Sequence, residues 1–200
     1  MKEKHRINDE LKRTNRSQNL KRERMKSFFI EAAKDIVVES GASALSVRSV
    51  ADRAGYSYAT IYNYYEDLDA LLWDVKQSFI KDLHTFLIRY MPDVSEPEAL
   101  KKLFRQYVAF YIENPNIFSF FYFTILDDER DHIEMMHNCF IAIRILETEP
   151  LIVKARQRTD ASATTCAYAI HGLLMLHFSS NGAADALWRD LENALLLLDG

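Results

Sequence analysis

Residues 46–65, SVRSVADRAGYSYATIYNYY, hold two short helical patterns that meet at a single glycine, Gly55. In the first, Val47, Val50, Ala51 and Ala54 repeat at the spacing of one helix face. Ser46 stands just ahead of it, where a hydroxyl can accept from an unpaired backbone N–H. The second opens with Ser57, again an N-cap type, and predicts a helix over 58–65. Ile61 and Tyr65, four apart, face inward in that helix, which leaves Tyr58, Ala59, Thr60, Tyr62, Asn63 and Tyr64 facing outward. Two helices joined by about three residues including Gly fit a helix-turn-helix, whose second helix enters a DNA major groove. The same spacing also serves a plain helical hairpin in an all-α core. A row of Tyr, Thr and Asn turned to solvent favours a binding surface.

The distribution of charge points the same way. The net charge is −4, yet residues 1–26 carry ten Lys and Arg against Glu3, Asp9, Glu10 and Glu23, so this segment is +6 and the remainder −10. A basic segment ahead of the two-helix motif suits phosphate binding, and the acidic body repels DNA from the wrong faces. The alternative for residues 1–20 is a solvated tail. They are polar and show no periodic apolar face, so they are read as a basic arm that is loose without a partner.

From Lys21 a helix is expected, with Phe29, Ala32, Ala33, Ile36 and Val37 on one face and Gly41 as its C′ stop. After Tyr65, Glu66-Asp67-Leu68-Asp69 places acids at a new helix start. That helix carries Leu71, Leu72, Val75, Phe79, Leu83, Phe86, Leu87 and Tyr90, and closes near Pro92. At 1.5 Å per residue it reaches about 35 Å, enough to link a head to a body. Leu100 to Ile112 form the next amphipathic helix, ended by Asn114-Pro115. Residues 117–123, IFSFFYF, are apolar on nearly every side and must be buried or line a cavity. Another helix is expected over about 129–146, then two more over 161–179 and 184–198, joined at Asn181-Gly182.

With 48% hydrophobic residues and only five glycines and four prolines, the chain can build a sizeable core with few long loops. Apolar runs such as 117–126 fall short of the roughly 18 residues that span a bilayer. No apolar stretch follows the charged N-terminus, so no secretory signal is expected. Cys139 and Cys166 are too few for a disulfide framework or zinc site, which points to the cytoplasm. His132 and His137, like His171 and His177, lack the spacing of paired ligands on one helix face, so no metal or cofactor is expected. No phosphate loop and no nucleophile–base pair suggests an enzyme.

The stretch SVRSVADRAGYSYATIYNYYEDLDALL resembles the DNA-binding half of the TetR family of one-component transcriptional regulators over about 27 consecutive positions. The resemblance implies an all-α fold: a three-helix head with a helix-turn-helix, a long linking helix, and a helical ligand-binding and dimerisation body, about nine helices in all. The expected division is an arm at 1–20, the head at 21–66 and the body at 67–200. Within the body, YVAFYIENPNIF (107–118) and AIHGLL (169–174) resemble a sub-group with Asn-Pro and His-Gly signatures.

Carried over by position, the resemblance implies that Ser46 and Ser57 bind phosphates and that Arg48 reaches a base. Tyr58, Ala59 and Thr60 would face base edges, while Tyr62, Asn63 and Tyr64 would mix base and phosphate contacts. Leu68 departs from the family's frequent Lys, a contact that Lys21 or the arm would replace. The implied partners are double-stranded DNA, a second copy of the chain, and a small, mostly apolar or aromatic effector, with no membrane. Candidate effector-lining residues are Phe104, Tyr107, Tyr111, Phe118, Phe121, Tyr122, Met135, Met136 and His171, each of which also suits plain core. Candidate dimer residues on the last two helices are Ile170, Leu173, Leu174, His177, Leu187, Leu191, Leu195 and Leu198, with burial inside the monomer as the alternative. The expected function is a ligand-responsive repressor that binds a pseudo-palindromic operator as a homodimer; the alternative is a DNA-binding protein that answers to a protein partner.

Overall fold

A computed structural model describes residues 2–89, 98–124, 160–180 and 182–199. The described residues form eight α-helices and two short 3-10 turns, with no strand among them. The helix expected over 129–146, with Met135 and Met136, lies outside them. The chain divides into two compact units, Met1–Val75 and Lys76–Gly200.

The first unit starts with α1 (Lys2–Ser40). It continues through residues 2–20, where the sequence suggested a loose arm. No Gly or Pro falls between 2 and 40, and Lys, Arg, Glu, Gln and Leu are good helix formers, so backbone propensity carries the helix beyond its packed part. Its inner face is the expected one: Phe29, Ala32, Ala33, Ile36 and Val37 are all buried. Gly41 stops it with φ 79°, donating its N–H to the Val37 carbonyl at 2.9 Å.

The helix α2 (Val47–Ala54) opens on Ser46 with a reciprocal cap. The Ser46 hydroxyl accepts from the Ser49 N–H, and the Ser49 hydroxyl accepts from the Ser46 N–H. It closes on Gly55, whose φ of 76° and ψ of 28° are left-handed. Tyr56 N–H donates to Ala51 and Gly55 N–H to Asp52, at 2.9 and 3.2 Å. Only glycine holds this turn without strain, which sets the angle between α2 and α3 (Tyr58–Ile61).

The linking helix α4 (Leu68–Arg89) starts as expected, with the Asp67 carboxylate accepting from the Ala70 N–H at 2.7 Å. Its first turns belong to the head: Asp74 accepts from Lys26 at 2.8 Å and from the Tyr65 hydroxyl at 3.1 Å. The two units therefore divide within α4, past the boundary expected at 66.

In the second unit, α5 (Glu98–Glu113) ends at Asn114, and Pro115 opens α6 (Pro115–Tyr122) at its first position, where a missing N–H costs nothing. Ile117, Phe118, Phe120 and Phe121 are buried, as the all-round apolar pattern requires, while Phe123 is exposed. Phe79 of α4 sits 6.0 and 6.4 Å from the rings of Phe120 and Phe121. The last two helices are α7 (Asp160–Ser180) and α8 (Ala184–Leu195), packed on each other. Arg105 of α5 grips Glu192 of α8 with two bonds of 2.7 and 2.8 Å. Among the described residues no helix is long and apolar enough to cross a membrane.

Candidate nucleic-acid interface

The recognition segment is shorter than the helix expected over 58–65. α3 makes one α-helical turn, then tightens through i→i+3 bonds, with Asn63 N–H on Thr60 at 3.2 Å and Tyr64 N–H on Ile61 at 2.8 Å. Tyr62, Tyr64 and Tyr65 crowd this end, and aromatic residues favour a helix interior less than straight chains do. Ile61 and Tyr65 are buried as expected. Tyr58 and Tyr62 are 63% and 54% exposed, so two aromatic side chains stand in solvent on one short segment. Ala59 and Asn63 are exposed beside them, and Thr60 is half-buried.

Two residues behave differently from expectation. Ser57 occupies the N-cap position but makes no cap bond; its hydroxyl pairs with that of Thr60 at 2.9 Å. Tyr64 is half-buried and turned toward α1, its ring 5.8 Å from Phe29. Tyr56, next to the turn, packs on the same phenylalanine at 5.5 Å. Phe29 is thus the seat of both ends of the recognition segment.

The arginines of the head divide by what they touch. Arg53 forks onto Glu39 at 3.0 and 2.6 Å and ties α2 to α1; its guanidinium holds the Glu39 carboxyl below the ordinary range. Arg22 donates to the carbonyls of Asn63 and Tyr64, a contact that the sequence reading missed. Its signal was only a basic residue one turn before Lys26, indistinguishable from its neighbours. Arg48, at the start of α2, is exposed and forms no ion pair or hydrogen bond among the described residues. Lys21 is exposed and equally uncommitted.

In the second unit the expected effector residues do come together. Tyr107 and Tyr111 of α5, Phe118 and Tyr122 of α6 and His171 of α7 form one aromatic cluster, with Phe104 and Phe121 buried on the same helices. The Tyr122 ring stands edge-on to His171 at 4.7 Å. Burial first, then the phenols of Tyr107 and Tyr111, raise Tyr122 well above its ordinary value. Burial lowers His171 to about 4, so it is neutral near pH 7.

That shift has a measurable consequence. A depressed folded value means that the unfolded chain binds the proton more tightly. Stability from His171 is then whole above about 6.5 and drains as pH falls toward about 4. The expected loss is on the order of 3 kcal/mol across that window. His171→Asn should flatten the fall in melting temperature over it, and an unchanged pH profile would refute the assignment.

The dimer candidates separate into two sets. Ile170, Leu174, Leu187, Leu191, Leu195 and Leu198 are buried within this chain and so are not open to a second copy. Leu173 and His177 are half-buried. The apolar groups left in solvent are Tyr168, Leu176, Leu196 and Leu197, at 52, 66, 63 and 45% exposure. No group of side chains able to hold a metal ion occurs among the described residues.

Residues 29–75 match the family model described as bacterial regulatory proteins, tetR family. No curated protein matches the sequence. Among solved structures, the chain is similar to RolR in complex with resorcinol, with TM-score 0.61, 18% identity, and coverage of 90% of this chain and 89% of that one. It is similar to Thermus thermophilus FadR, a TetR-family repressor in complex with lauroyl-CoA, with TM-score 0.61, 21% identity, and coverage of 86% and 92%. It is similar as well to SmeT, repressor of the Stenotrophomonas maltophilia multidrug efflux pump SmeDEF, with TM-score 0.58, 14% identity, and coverage of 87% and 88%. At such identities the likeness is one of fold, and the His-Gly sub-group stays a resemblance. The matched segment takes in the end of α1, the capped α2, the Gly55 turn, α3 and the start of α4, so residues 29–75 carry the helix-turn-helix segment of the bacterial regulatory proteins of the tetR family, and the chain as a whole shares the fold of these solved structures.

Proposed function

We propose that the protein is an effector-responsive repressor that works in the cytoplasm as a homodimer on a pseudo-palindromic operator. One observation carries the reading: Arg48 and the exposed row of α3 stand free, while Arg22 and Arg53 are committed to the protein itself. In this reading Arg48 reads guanine from the edge of the major groove, the pairing for which its planar fork is best suited. Tyr58, Ala59, Thr60, Tyr62 and Asn63 meet base edges and adjacent phosphates. Ser46, Ser57 and Lys21 hold the phosphate backbone, and Tyr64 supports the segment from behind. Two heads would sit in successive major grooves about 34 Å apart.

Dimerisation is assigned to the exposed side of α7 and the C-terminal turn, where Leu176, Leu196 and Leu197 stand exposed among the described residues. The effector is assigned to the cluster of Tyr107, Tyr111, Phe118, Tyr122 and His171. Its neutral phenols and neutral imidazole suit an uncharged aromatic or largely apolar ligand with a few polar atoms. Two of the similar structures hold small organic ligands and two are repressors, which supports this class of response. Coupling requires the ligand to prefer one separation of the heads over another.

The test is selection of bound sequences from random duplex DNA at physiological salt. A palindromic consensus is the expected outcome, and binding without a consensus would remove the regulator reading. Arg48→Ala should then cost about 1–3 kcal/mol and relax one operator position in each half-site. An equal loss on every sequence would refute its base-reading role.

A further inference from the structure

α3 ends at Ile61, and the Thr60 and Ile61 carbonyls accept from the N–H groups of Asn63, Tyr64 and Tyr65. Past that point no helical ladder continues to supply N–H groups to the carbonyls of Asn63 and Tyr64. Arg22 reaches them from α1, its two terminal nitrogens donating at 3.0 and 3.1 Å. Its guanidinium lies 5.3 Å from the centre of the Tyr64 ring, and that ring leans in turn on the fully buried Phe29. A planar fork with two parallel donors fixes direction as well as distance, and a bond from a charged donor is stronger than a neutral one. Lys21 and Arg24 line the same open groove of about 780 Å³ beside Asn63. Both are exposed and make no such bond among the described residues.

We propose that Arg22 is a positioning residue for base reading: it holds the pose of Tyr62 and Asn63 against the bases and is not itself a phosphate contact, although it stands in the most basic stretch of the chain. The inference rests on the regulator reading above. Base-edge hydrogen bonds tolerate only a few tenths of an ångström and a limited angle. Attraction between a cation and phosphate is felt over about 10 Å and forgives a shifted helix. Loss of the strut therefore damages specific binding more than non-specific binding.

The experiment compares full-length wild type, Arg22→Lys, Arg22→Gln, Lys21→Gln and Glu39→Gln on the selected operator and on a scrambled duplex, each over a range of salt. Arg22→Lys keeps the charge but loses the fork. It should lower operator affinity about ten-fold while leaving scrambled binding and its salt dependence unchanged. Arg22→Gln should lose the same preference. Lys21→Gln should instead weaken both duplexes alike and reduce the salt slope by about one. Glu39→Gln removes the tie from α1 to Arg53 and serves as the control for loosening of the head, with preference retained. Equal loss on both duplexes in Arg22→Lys, or loss of preference in Glu39→Gln as large as in Arg22→Lys, would overturn the proposal. A wild type that does not prefer the operator would overturn the regulator reading itself, and this inference with it.

Discussion

Leu176→Glu is expected to split the proposed homodimer and to lower affinity for the proposed operator by about 10²-fold or more. Leu176 is 66% exposed on α7, so the substitution disturbs no packing inside the protomer. A carboxylate forced into a buried, symmetric interface has no partner there and meets its own copy, which a C2 contact cannot accommodate. Once the heads are unlinked, the second half-site is no longer bound at the high effective concentration that linkage supplies. Light scattering should give the mass of two chains for wild type and of one for the variant. A variant that keeps both the dimer mass and the operator affinity would show that α7 does not meet a second copy at Leu176.

Phe29→Ala is expected to destabilise the head by about 3–5 kcal/mol. Phe29 is fully buried, and the rings of Tyr56 and Tyr64 rest on it from the two ends of the recognition segment. The cavity would open under both at once, and Ala32 and Ala33, one turn on along α1, are too small to fill it. Such a loss approaches the whole stability of a small domain. Urea denaturation followed by circular dichroism should show a lower midpoint, with operator binding lost even where the second unit stays folded. An unchanged midpoint would mean that Phe29 is not the seat of the segment.

Much of the head was legible without coordinates. The inner face of α1, the Ser46 cap, the Gly55 turn and the inward pair Ile61 and Tyr65 all follow from spacing and local chemistry. These are effects of residues within a few positions of one another, where periodicity and capping rules apply directly. Legibility stopped where a charge had to choose a partner. Arg22, Arg48 and Arg53 look alike in sequence, yet one holds backbone carbonyls, one stands free and one grips Glu39. The extension of α1 through residues 2–20 was missed for the opposite reason. A polar helix without an apolar stripe carries no periodic signal, although nothing in its composition opposes it.

The last two helices show the same limit at larger scale. Apolar residues on several faces of 161–198 were enough to announce a packed hairpin with surface to spare. Which leucines serve the hairpin and which remain outside depended on how α7 and α8 meet. Ile170, Leu174, Leu187, Leu191 and Leu195 are buried in the fold, while Leu176, Leu196 and Leu197 remain in solvent. By itself, the sequence determined the packed helix faces, the Ser46 cap and the turn at Gly55, because local hydrogen bonding and 3.6-residue periodicity decide those. Only the tertiary structure decided which cation, tyrosine or leucine is used within the protein and which is left to a partner, because that choice depends on the distance between elements far apart in the chain.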